Sequence, residues 1–153
     1  MNPEYLSLWC EDAEVTGEHE LQLAIRICKI SPAPGFRLNS HAATYFLQRG
    51  CLPIADWYGT QIGRMLEAFQ QDKFDPTVFV ARIRIEQPEF WEELRGRMKA
   101  LRCGAWAYAE HDVHAKTGAD QISIVQPGIE TLVLWFQERS AVARRVQPLR
   151  QAA

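Results

Sequence analysis

The most regular pattern in the chain lies at residues 77 to 86, where Phe79, Ala81, Ile83 and Ile85 alternate with Val78, Val80, Arg82 and Arg84. A period of two predicts a strand with one apolar face and one mixed face. Leu21, Leu23, Ile25 and Ile27 alternate in the same way with Gln22, Ala24, Arg26 and Cys28, and Ser31-Pro32-Ala33-Pro34-Gly35 ends that second strand.

Elsewhere spacings of three and four dominate. After Pro53, the residues Ile54, Tyr58, Ile62, Met65, Leu66 and Phe69 make a broad stripe. The stripe predicts a helix closed by Asp75-Pro76, with Gly59 and Gly63 on one side for close approach of another helix. A shorter helix is expected before it, capped by Asn39 or Ser40, anchored by Tyr45, Phe46 and Leu47, and stopped by Gly50.

Pro88 opens a predicted helix reaching residue 102, with Glu89, Glu92 and Glu93 near its start and Arg97, Lys99 and Arg102 near its end, before Gly104. Its core stripe is Phe90, Trp91, Leu94, Met98 and Leu101. Residues 105–110 and 121–126 read as a hairpin around Lys116-Thr117-Gly118-Ala119-Asp120. A last helix is expected from residue 128 into the 140s, turning Ile129, Leu132, Val133, Phe136 and Val142 inward.

This order of elements predicts an α+β fold: a small sheet of about four strands packed with helices, ferredoxin-like with a rearranged strand order. Residues 1–153 read as one domain, with 1–20 a weakly structured acidic start and 148–153 a frayed tail. A 47% hydrophobic composition excludes a disordered chain.

A net charge of -2 argues against holding nucleic acid by overall electrostatics. The charge is unevenly placed. Residues 1–20 carry Glu4, Glu11, Asp12, Glu14, Glu18 and Glu20 with no Lys or Arg, whereas Arg139, Arg144, Arg145 and Arg150 follow Glu138 with no acid. Cys10, Cys28, Cys51 and Cys103 form no C-x-x-C pair and follow no secretory segment, which suits reduced thiols in a cytoplasm. No apolar run approaches the roughly 20 residues of a membrane helix.

Candidate chemistry is sparse. Glu110-His111-Asp112-Val113-His114 offers two imidazoles and a carboxylate, a donor set suited to Zn²⁺ or Fe²⁺, but a further ligand such as His19 or His41 would have to come from elsewhere. A solvated polar loop accounts for the same residues. Cys28 beside Arg26 and Lys29 reads as a structural thiol. The chain has no G-x-S-x-G nucleophile elbow and no glycine-rich phosphate loop, so no catalytic residue and no cofactor is expected.

Strand phase places Arg82, Arg84, Trp106 and Tyr108 on one face, unless the helices expected over residues 40 to 71 cover it. Cations beside aromatic platforms would suit single-stranded nucleic acid. The leading expectation is a non-enzymatic cytoplasmic protein that regulates or inhibits a protein partner, as an anti-defence protein or antitoxin does. Its contact residues would be Glu11, Asp12, Glu14, Arg82, Arg84, Trp106 and Tyr108, the acids meeting a basic surface on the partner. A nucleic-acid-binding module is the first alternative, and a metal-dependent enzyme centred on His111, Asp112 and His114 the second.

Overall fold

The computed structural model describes residues 4–26, 51–72, 74–75, 78–108 and 128–137. Among them run β1 (Glu4–Gly17), β2 (Glu20–Arg26), β3 (Pro53–Ala55), β4 (Gln61–Phe69) and β5 (Val78–Ile85), then helix α1 (Pro88–Gly96), β6 (Leu101–Tyr108) and β7 (Gly128–Phe136). The strands close on themselves in the order β1-β2-β5-β4-β3-β7-β6. Neighbours are antiparallel except β3 and β7, which run parallel. The α+β, ferredoxin-like expectation is thereby corrected: the described residues build a closed seven-stranded β-barrel with one α-helix.

The two alternating segments form the strands expected of them. Leu21, Leu23 and Ile25 of β2 lie opposite Ile83, Ala81 and Phe79 of β5, and all six are fully buried. Closing the sheet turns these faces into the barrel interior, where cross-strand apolar pairs stabilise the ladder. Ile54, Met65, Ala105, Leu132 and Leu134 complete the filling from the other strands. The outer positions of β2 and β5 instead carry Gln22, Arg82 and Arg84. Among the described residues, no helix is long and apolar enough to cross a membrane.

The remaining expectations are corrected as follows. The acidic start is no loose segment but the 14-residue β1, paired with both β2 and β6. The stripe after Pro53 is β3, a turn and β4 rather than a helix, and Gly59 sits in the turn with φ of 81°. The segment from 128 is β7, whose inner and outer faces are both buried from Thr131 to Leu134. Among the described residues, β6 pairs with β7 on one side and β1 on the other. The expected short helix before Gly50, residues 121–126 and the tail after 148 lie outside the described residues.

The helix after Pro88 is present but ends at Gly96. A short 3₁₀ turn over Met98–Ala100 then delivers the chain to β6, so Leu101 is a barrel residue and not a helical one. α1 has no side-chain N-cap and starts on Pro88, whose fixed φ suits a first turn. Trp91 and Leu94 are its buried side chains, while Phe90 packs on Phe136 at 5.2 Å between ring centres. His19, in the β1–β2 turn with φ of 61°, stacks on Trp91 at 5.4 Å, and its carbonyl accepts from the Ile85 N–H. α1 therefore lies against the barrel at the β1–β2 turn and the end of β7.

Candidate contact surface

β1 carries the acids singled out in the sequence, and a bulge decides which way they point. The register against β2 slips between Cys10 and Asp12, so Trp9 lies opposite Arg26, Asp12 opposite Ala24 and Glu14 opposite Gln22. Strict alternation would put Trp9 and the two acids on opposite faces. The extra residue brings all three to the outer face. There Trp9 is 65% exposed, and Asp12 and Glu14 are exposed beside it.

Glu11 is the residue displaced by the bulge, and it is spoken for: its carboxylate pairs with the Arg26 guanidinium, which also reaches Asp75 at 3.5 Å. Past Leu8, β1 leaves β6 and pairs with β2 alone among the described residues. Among the described residues, one backbone edge of this stretch has no ladder partner. Acidic side chains at such an edge oppose its pairing with a second copy of itself, since like charges would meet across the new ladder.

Arg82 and Arg84 are exposed on the outer face, as expected, but each faces a carboxylate. Arg84 lies 3.8 Å from Glu20 and Arg82 3.4 Å from Glu67, and Arg64, across from Arg84 on β4, pairs with Glu86 at 2.9 Å. The register explains the pairing, because Glu20, Arg84 and Arg64 are cross-strand neighbours, as are Gln22, Arg82 and Glu67. The face is an ion-pair ladder with its charges balanced, which is a poor footprint for a phosphate backbone. Arg64 holds the Glu86 carboxyl below the usual carboxylate range. A depressed carboxylate contributes stability above its unfolded value and loses it as pH falls, and exposure keeps this contribution small. Arg84→Gln should cost under ~1 kcal/mol, read as a melting temperature within a few degrees of wild type.

Trp106 is on the outer face of β6 but is only 6% exposed. It belongs to a second apolar cluster outside the barrel, with Val133 at its centre and Tyr5, Trp57 and Trp135 packed against it. Sequence reasoning missed Tyr5, Trp57 and Trp135, which come from three distant segments. The available signal was the four bulky aromatics near small neighbours such as Gly104 and Ala55. Tyr108 ends β6, and its side chain is outside the described residues, as are His111, Asp112 and His114. Among the described residues no group of three or more His, Cys, Asp or Glu could hold a metal.

Two thiols meet near the interior. Cys10 is half-buried and Cys103 buried, and the Cys103 thiol, with Arg102, holds the Cys10 thiol below its ordinary range against the opposing effect of burial. Comparison with protein families, curated proteins and solved structures finds no match for this chain.

Proposed function

We propose that this protein is a binding protein whose β1 outer face docks on a basic surface of a protein partner. The observation that carries this reading is Trp9, 65% exposed at the head of an acidic stripe that the β1 bulge aligns with it. A large exposed indole supplies the apolar anchor typical of interface hot spots, and Asp12 and Glu14 supply a rim that selects a positive partner. Glu18 in the adjoining turn extends the same charge. The paired state of Arg82 and Arg84 supports a protein over a nucleic acid as the occupant of the neighbouring face.

Trp9→Ala and the pair Asp12→Lys with Glu14→Lys separate binding from folding, because none of these side chains enters the barrel core. Glu11 is left intact for its bond to Arg26. Each variant should lose about ten-fold or more in affinity for the captured basic partner and melt close to wild type. Wild-type binding should weaken as salt rises. Equal retention of the same proteins by wild type and both variants would overturn the reading.

A further inference from the structure

Cys10 and Cys103 face the barrel interior from neighbouring strands, at the place where those strands part. The last ladder pair between β1 and β6 is Leu8 with Cys103. Cys10 is the next inward residue of β1, opposite Ile25 of β2, and it packs against the core cluster that contains Cys103. The Cys103 S–H donates to the Cys10 sulfur, whose own S–H donates to the Asp12 carbonyl oxygen at 3.7 Å across the bulge. The fold thus makes neighbours of two sulfurs that most of the chain separates.

Their surroundings differ in the way a two-step oxidation needs. Cys10 is half-buried, within reach of a small oxidant, whereas Cys103 is 1% exposed and shielded from it. The thiolate is the form that reacts. At Cys10 the Cys103 hydrogen bond favours it against burial, and the Arg102 charge favours it against the Asp12 carboxylate. We propose that Cys10 is a peroxide-reactive modification site and that Cys103 resolves it, giving a Cys10–Cys103 disulfide that ties β1 to β6.

The oxidant is hydrogen peroxide. The Cys10 thiolate attacks one of its oxygens, an S–O bond forms, the O–O bond breaks, and the departing hydroxide takes up the proton that Cys10 released and leaves as water. Cys103 then attacks the Cys10 sulfur: an S–S bond forms, the S–O bond breaks, and the hydroxyl leaves with the Cys103 proton as a second water. The two thiols are oxidised by two electrons, and the peroxide is reduced to water. A disulfide needs Cα atoms within roughly 7 Å. Past Leu8 no β6 ladder bond holds β1 among the described residues, and the bulge after Cys10 interrupts the β2 ladder, so β1 is free to make a small approach to β6. The bond fixes β1 beside the bulge that aligns Trp9 with the acids, but its formation does not depend on what that face binds.

The test treats the reduced full chain with hydrogen peroxide, blocks the remaining thiols with N-ethylmaleimide in denaturant, and maps the unreduced peptides by mass spectrometry. The peptides of Cys10 and Cys103 should be found linked, with the exposed Cys51 alkylated, and dithiothreitol should reverse the link. Cys103→Ser should leave Cys10 as a sulfenic acid that dimedone captures several-fold faster than at Cys51. Cys10→Ser should leave Cys103 reduced. If either variant does not fold, the wild-type map decides alone. A bond from Cys10 to Cys28 or Cys51, oxidation of Cys103 in a folded Cys10→Ser protein, or both Cys10 and Cys103 still alkylated after excess peroxide would each overturn the proposal.

Discussion

Gly63→Ala is expected to destabilise the barrel by ~3 kcal/mol or more, although it adds a single methyl group. A Cβ at this position would stand 2.1 Å from the Arg84 carbonyl oxygen and 3.1 Å from the Ile85 Cα. Both are backbone atoms of the neighbouring strand, so relief requires β4 and β5 to separate where Gly63 pairs with Ile85. The chain also turns here, with Glu86 and Gln87 donating to the Ile62 carbonyl. Gly96→Ala is the matched control: nothing lies within 4 Å of its added methyl, and alanine at a helix end should be neutral or stabilising. Chemical denaturation of the two variants checks the contrast. A Gly63→Ala protein as stable as wild type would show that β4 and β5 do not approach as closely as described.

The same glycine shows how the sequence misleads. Close backbone approach at Gly63 was legible, but the partner is a strand and not a helix. The stripe at Ile54, Tyr58, Ile62, Met65 and Phe69 has helical spacing because two strands are joined by a turn over residues 56–60, and a bulge between Met65 and Glu67 then shifts β4 again. Tyr58 in the turn and Phe69 are exposed while Ile54, Ile62 and Met65 are buried, so the helical spacing joins inner positions of two strands to turn and outer positions and marks no single face. β7 hides differently. Ile129, Leu132 and Leu134 face the interior while Val133 is covered by tryptophans, so both phases are apolar and no alternation survives. β2 and β5 were readable because Gln22 and Arg26, and Arg82 and Arg84, interrupt the apolar run at outer positions. In the contact surface, the acids of β1 were visible, but their alignment with Trp9 depends on the bulge at Cys10 and Asp12, for which the sequence carries no strong signal. The ion-pair ladder likewise needs the register, which places Glu20 and Glu67 beside Arg84 and Arg82.

Leu94→Ala should cost ~2 to 5 kcal/mol, enough to lower the melting temperature of a domain this size by about 10 °C. The expectation rests on agreement between sequence and structure. Pro88 starts α1, an acid occupies its first turn and Arg95 its last, and the apolar stripe falls on Trp91 and Leu94. Leu94 is fully buried in the same cluster as Leu21, Ile83 and Ile85, so α1 extends the barrel core instead of lying on its surface. Truncation removes three carbons from a site whose neighbours are held in strands and cannot collapse to fill the space. Leu94→Met, which preserves volume, should cost under ~1.5 kcal/mol, and Glu92→Ala on the exposed face only tenths, because its partner Arg95 is also exposed. Thermal unfolding of the three variants orders them as Ala, then Met, then the Glu92 control. Wild-type melting of Leu94→Ala would mean that α1 is not packed against the barrel, and the contacts of His19 with Trp91 and of Phe90 with Phe136 would fail with it.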